Sequence, residues 1–213
     1  FEAQYTIKSS YELTAKLHQV KLPASSKLIS FDVVNMFTKI PVKRTIDIMA
    51  ALLHQRHIPS AIVDEFIDLL TQCTEKNLCV FRGTTYLFPD GLPMGGPLSM
   101  LVADVFLDHL ESEILKSSTH SCFIRSWVRY VDDILCVWTG NTTLIHSFLQ
   151  DLNNFDNSIK FTLEIGGSAI NYLDLTIELE EVGNLLTPAF KIFRKDTFTG
   201  VSIHSDSLHP GAH

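Results

Sequence analysis

The feature that most constrains this chain is a pair of adjacent carboxylates, Asp132-Asp133, set inside an apolar stretch that runs over residues 127–138. Charge among apolar side chains is costly unless it is paired, bound to a metal or led out to water. The two short apolar segments beside the pair predict a hairpin with the acids at its tip. A solvated tip satisfies that pattern, because Asp is a common turn residue, and a cation-binding tip satisfies it too. A second isolated acid favours the cation. Asp32 ends the apolar run 28–31, where a strand meets a turn, and two strand-end acids converge if their strands are neighbours in one sheet. Magnesium is held by a few carboxylates plus substrate phosphates. Two such ions ~4 Å apart stabilise both the attacking and the leaving oxygen in phosphoryl transfer.

The rest of the pattern is mixed. Residues 27–34 predict a buried strand. Over 41–57, Val42, Ile46, Met49 and Leu53 recur at helical spacing, with Pro41 near the start. A second helix opens at Pro59 and carries Ile62, Phe66, Leu69, Leu70 and Cys73 on one face. Residues 77–81 and 85–88 flank Arg82-Gly83 as a hairpin. The Gly- and Pro-rich loop 89–97 leads into a helix over 98–116, with a core stripe of Leu98, Leu101, Val102, Val105, Leu110 and Ile114. Another helix covers 143–153, on Leu144, Phe148 and Leu152. Strands follow at 159–165 and 171–180, joined by Gly166-Gly167-Ser168, and at 189–194. In the second of these, Leu173, Leu175, Ile177 and Leu179 alternate inward. The sum is α+β: a small antiparallel sheet with helices on one face.

With 213 residues and 46% hydrophobic content the chain can bury one sizeable core. No internal repeat or Gly/Ser linker divides it, so residues 1–213 are expected to form a single domain. No apolar run reaches the ~18 residues of a membrane span. The start, Phe1-Glu2-Ala3-Gln4, has neither Met nor a signal-peptide pattern, which fits a piece of a longer protein. Four cysteines, Cys73, Cys79, Cys122 and Cys136, form no C-x-x-C pair. Their apolar neighbours predict buried free thiols in a reducing, intracellular compartment. The net charge of −7 runs against a complete nucleic-acid-gripping protein. It fits a catalytic core whose acids hold metals and whose basic parts lie elsewhere.

Three segments carry a family resemblance. Ser30-Phe31-Asp32-Val33-Val34-Asn35-Met36-Phe37-Thr38-Lys39-Ile40-Pro41-Val42 resembles motif A of reverse transcriptases, in the form typical of Penelope-like retroelements. Gly91-Leu92-Pro93-Met94-Gly95-Gly96-Pro97-Leu98-Ser99 resembles their motif B, and Trp127-Val128-Arg129-Tyr130-Val131-Asp132-Asp133 their motif C. Residues 159–164, Tyr172-Leu173-Asp174, Phe193-Arg194-Lys195 and His209-Pro210 with His213 follow in the family's order. The resemblance spans nearly everything from Leu28 onward, and three motifs in order are far more specific than any one.

That resemblance implies a polymerase palm. Residues 1–26 would be a lead-in with part of the fingers, and 190–213 the start of the connection toward the thumb. It implies RNA-directed DNA polymerase activity on an RNA template and DNA primer with deoxynucleoside triphosphates, in the nucleus, within a longer polyprotein. Asp32 and Asp132, assisted by Asp133 and the Val33 carbonyl, would hold two Mg2+ ions, with Mn2+ as substitute. Phe37 would exclude a 2′-hydroxyl by its bulk; it also reads as a plain core aromatic. Met94 and Gly95 would floor the nucleotide pocket, and Lys160 would protonate pyrophosphate. Tyr130 and Arg129 would face primer or template, though Arg129 equally reads as an exposed charge beside a turn.

Four positions depart from the family pattern. Gly96 stands where Ser is usual, Met100 where Pro is usual, Asp104 where Asn is common and Phe88 where Gln is frequent. These departures and the acidic charge support an alternative, a non-catalytic nucleic-acid-binding remnant of a degraded element. The intact acids oppose it. His204, His209 and His213 are too loosely spaced, and too far from any Cys, to read as a zinc site.

Overall fold

The computed structural model describes residues 3–75, 77–87 and 90–195. In chain order the elements are α1 (Ser10–His18), β1 (Leu22–Pro23), β2 (Lys27–Val33), α2 (Met36–Lys39), α3 (Val42–Gln55) and α4 (Ser60–Glu75). The hairpin strands β3 (Leu78–Phe81) and β4 (Thr84–Leu87) follow, then α5 (Ser99–Ser117) and a 3-10 turn over Thr119–Phe123. Beyond it come β5 (Ile124–Tyr130), β6 (Asp133–Trp138), α6 (Thr142–Phe155), β7 (Phe161–Gly167), β8 (Ala169–Tyr172), β9 (Leu175–Val182) and β10 (Leu185–Ile192).

Most of these stand within two or three residues of where periodicity places them, and the architecture is the expected mixture of helices and antiparallel sheet. It has three layers. The central sheet runs β5-β6-β2-β7, so the two acid-bearing strands β2 and β6 lie side by side at its centre. On one face Ile29, Phe31, Ile134, Cys136 and Trp138 meet α3, α5 and α6 through Ile46, Val102, Phe106 and Phe148. The other face, Leu28, Val128, Leu135 and Val137, packs on a second sheet, β1-β10-β9-β8, and on Leu13 and Leu17 of α1. Helices do occupy one face of the central sheet, as the pattern predicts; the second sheet covering its other face does not emerge from periodicity.

Several details differ from expectation. The strand expected over 171–180 is two strands, because Leu173 takes a left-handed conformation (φ 56) and turns the chain back. No Gly or Asn marks that turn; its one turn-type residue, Asp174, also fits the outward phase of the alternation. Helix α1 lies in the lead-in, although Ser9 and Glu12 form an N-terminal capping pattern: the Ser9 side chain accepts from the Glu12 N–H. In α5 the buried stripe is Val102, Val105, Phe106, Leu107, Leu110 and Ile114, while Leu101 is exposed. All four cysteines are free, but only Cys136 is buried. Cys73 reaches solvent because the apolar residues on its face of α4, Ile62, Phe66 and Leu69, are themselves exposed, and Cys122 is exposed in the 3-10 turn, where its thiol donates to the Thr119 carbonyl. Phe88 and the histidines at 204, 209 and 213 lie outside the described residues.

The loop between β4 and α5 is tied to the segment after β2 by backbone. The Leu92 N–H donates to the Phe37 carbonyl at 2.7 Å, and Gly91, at φ 84, presses on Thr38 so closely that a Cβ would stand 2.5 Å from the Thr38 carbonyl oxygen. A side chain in that backbone conformation costs about 1–2 kcal/mol before any clash. Gly91→Ala is therefore expected to lower the urea midpoint by more than Gly83→Ala, whose positive φ (79) opens onto free space. Equal losses would show that the contact with Thr38 contributes nothing.

Candidate active site

Asp32 sits on the face of β2 opposite Phe31, whose ring is buried in the helix-side core. Its cross-strand partner is Asp133, the first residue of β6. Directly opposed like charges on neighbouring strands destabilise a sheet. Between β5 and β6 the chain turns through Val131, a β-branched residue at φ 58, and Asp132. Such a residue adopts the left-handed region only under outside constraint. The Val33 N–H donates to the Asp132 carbonyl at 3.1 Å, which ties this turn to the end of β2.

The electrostatics follow from the crowding. Burial, then the charge of Asp132, raises the pKa of Asp32 above the ordinary aspartate range. Asp133 is raised by burial, then by Asp132 and Asp32, with Lys195 opposing. The three carboxylates thus share one field. Asp32 and Asp133 also border an open cleft of about 210 Å³ between the two sheets, lined further by Ser30, Asn171, Tyr172 and Lys195. Among the described residues no three acidic, His or Cys side chains are placed to hold a metal ion unaided. Mg2+ rarely requires that: one or two carboxylates, waters and substrate phosphates complete its octahedron. Hard oxygen donors in mutual repulsion fit such an ion.

The other expected site residues divide. Phe37, on α2, packs half-buried against the helix-side core, and its carbonyl holds the following loop. Met94 is 86% exposed at the loop tip. Gly95 is required there by its φ of 83 and not by close approach, since a Cβ would meet nothing. Ser99 opens α5, one residue after the expected start, and its hydroxyl donates back to the Pro93 carbonyl at 2.7 Å. Tyr130 packs half-buried against the sheet-to-sheet core. The Lys160 ammonium donates to the carbonyls of Asn153 and Asp156 at the end of α6, a favourable place for a cation.

Arg129 is a correction. Expected to face nucleic acid or solvent, it is 0% exposed. Strand alternation turns it, with Trp127, toward the helix layer. There Nε lies 3.1 Å from both carboxylate oxygens of Glu111, and Nη1 donates to Asp104 at 2.8 Å and to the Val131 carbonyl at 3.0 Å. Trp127 also donates to Glu111, at 3.0 Å. Glu111 was legible as a charge among the apolar positions Leu107, Leu110 and Ile114 of α5. Tyr172, whose hydroxyl donates to the Asp133 carbonyl at 2.8 Å, gave no such sign.

Two departures from the family pattern make contacts of their own. Asp104 takes the Arg129 guanidinium, and a Cβ on Gly96 would lie 2.5 Å from the Ser99 hydroxyl and displace it from the Pro93 carbonyl.

The layered α+β fold, with strand-end acids paired at the centre of its sheet, is palm-like. The family described as reverse transcriptase (RNA-dependent DNA polymerase) matches residues 2–165, and the chain belongs to it. No curated protein matches the sequence. Among solved structures, apo telomerase from Candida tropicalis superposes with a TM-score of 0.65 at 13% identity, over 83% of this chain and 36% of that one. Telomerase from Candida albicans, solved with a TWJ fragment of telomeric RNA, gives 0.67 at 12% identity, over 90% and 36%. An RNA polymerase complex from inside a double-stranded RNA virus gives 0.51 at 13% identity, over 79% and 18%. These likenesses establish the fold, and the chain spans about a third of the telomerase chains' length. No helix among the described residues is long and apolar enough to cross a membrane.

The raised acids make a pH prediction. In the folded state Asp32 and Asp133 bind protons more tightly than in the unfolded chain. Their contribution is therefore most favourable below the ordinary aspartate pKa and is lost as pH rises through the raised values. Asp133→Asn should raise the melting temperature at neutral pH and much less in mild acid. A gain independent of pH would show that charge crowding is not its source.

Proposed function

We propose that this chain is the catalytic palm of an RNA-directed DNA polymerase of Penelope-like type, adding deoxynucleotides to a primer 3′-hydroxyl on an RNA template. The observation that carries this is the pairing of Asp32 with Asp133 across β2 and β6, with Asp132 in the same electrostatic field. Family membership supplies the class of chemistry. The order of the later sequence blocks supports the narrower type.

Asp32 and Asp132 would hold two Mg2+ ions, with Asp133 and the Val33 carbonyl completing the set; Mn2+ would substitute. Bound there, such ions offset the charge that develops on attacking and leaving oxygens. The chain's own residues do the rest. Asp32 and Asp132 would place the triphosphate by setting where the ions sit, and their neighbours Phe31 and Val33, locked in the core, keep the carboxylates rigid. Phe37 stands one short turn beyond Asp32, where its ring would deny space to a 2′-hydroxyl. Met94 and Gly95, on a loop tied to the Phe37 carbonyl, would sit beneath the new base pair. Tyr130 would border the primer end. Lys160 serves as proton donor to pyrophosphate only after leaving the carbonyls of α6.

The acidic chain supplies few phosphate contacts, so affinity for primer–template would come mainly from basic surfaces in the rest of a longer polyprotein. Residues 1–26 would lead in from the fingers, and 190–213 would lead toward the thumb. A nuclear site of action rests on the family resemblance.

Primer extension on an RNA template tests the proposal. Asp32→Asn or Asp132→Asn should reduce extension by at least ~10²-fold, the scale on which transition-state charge stabilisation is lost. Calorimetric Mn2+ binding with a deoxynucleoside triphosphate present should disappear in Asp132→Asn. Phe37→Ala should admit ribonucleotides. Template-dependent extension that survives loss of either acid would refute the reading, and absence of both metal binding and extension in the wild type would favour a non-catalytic remnant.

A further inference from the structure

We infer that Arg129 and Tyr172 clamp the Asp132 turn from opposite faces of the central sheet, as positioning residues for the metal-binding carboxylates. The inference rests on the proposed role of Asp132. Three consecutive carbonyls of the turn are each held by a different part of the molecule. That of Val131 accepts from Arg129 Nη1 at 3.0 Å. That of Asp132 accepts from the Val33 N–H at 3.1 Å, and that of Asp133 accepts from the Tyr172 hydroxyl at 2.8 Å. The turn needs such restraint. Val131 is in the left-handed region, which a β-branched residue avoids, and the neighbouring carboxylates repel one another. Left alone, both effects would open the turn and swing Asp132 away from Asp32.

Each arm is itself anchored. The Arg129 fork is fixed on Glu111 and Asp104 of α5, so the helix that begins at the motif B-like loop also sets the motif C-like turn. Glu111 is in turn held by Trp127. On the other face Tyr172 closes β8 and is buried against Ile170 and Ile177. A fully buried guanidinium, with Nε on buried Glu111 and Nη1 on half-buried Asp104, is not placed to meet a phosphate, whereas it is placed to hold Val131.

The test compares Tyr172→Phe, which removes one hydroxyl and keeps the ring, with Arg129→Lys, which keeps the charge and loses the fork. Mn2+ affinity is titrated by electron paramagnetic resonance with a deoxynucleoside triphosphate present, beside wild type and Asp132→Asn. Hydrogen exchange is followed at the amides of 131–133, and melting temperatures are recorded. Loss of such supporting bonds costs metal affinity ~10–100-fold. Tyr172→Phe is expected to weaken Mn2+ by at least ~10-fold and to speed exchange in the turn, with a melting temperature close to wild type. Arg129→Lys is expected to do the same if it folds; if it does not, Tyr172→Phe decides. Wild-type Mn2+ affinity in Tyr172→Phe, while Asp132→Asn has lost it, overturns the clamp and leaves the metal reading intact. No Mn2+ binding by the wild type overturns both.

Discussion

Like charge crowded onto the end of two central strands is the interaction around which this molecule is arranged. Asp32 and Asp133 face one another across β2 and β6 with Asp132 one residue away, and partial desolvation adds to their mutual repulsion although both residues reach solvent. A sheet gains nothing from such a pair, so other contacts must offset it. They are supplied by the apolar face behind, where Phe31, Ile134, Cys136 and Trp138 interlock with Phe148 and Phe106. Aromatic stacking there is dense, with Phe31, Trp127, Trp138 and Phe148 in mutual edge or tilted contact at 5.5–6.0 Å. Fixing the strands this firmly leaves the carboxylates little room to separate.

The same logic extends to the polar interior. A buried Arg with two acidic partners is a poor source of net stability, because desolvation cancels much of the attraction. Its geometry matters more than its energy. By joining β5, α5 and the turn at Val131, Arg129 couples elements that arise far apart in the chain. Gly91 and Leu92 couple the loop before α5 to the segment after β2 in a similar way. The three motif-like segments therefore converge through backbone and polar contacts, while Asp32, Asp133 and Met94 stay exposed.

Sequence periodicity located the principal elements because amphipathic helices and buried strands write their environment into the spacing of apolar residues. Asp32 and Asp132-Asp133 stood out as charges that such surroundings do not tolerate cheaply. The periodicity missed β8 and β9 as separate strands because Leu173 adopts a positive φ that its residue type does not advertise. It also placed Cys73 and Cys122 inside, since local apolarity does not reveal whether another layer will cover a helix face.

What the sequence determined by itself was therefore the kind of residue at each position and its local period: helices, strands, the acid pair, the Gly-rich loop and the family they resemble. Which acids meet, and what holds them, was decided only in three dimensions. Strand order set Asp32 opposite Asp133, alternation along β5 turned Arg129 inward to Glu111, and a strand some forty residues downstream brought Tyr172 to the Asp133 carbonyl. The physical reason is that local patterns encode burial, whereas the partner of a buried polar group is fixed by packing between layers whose order no local period specifies.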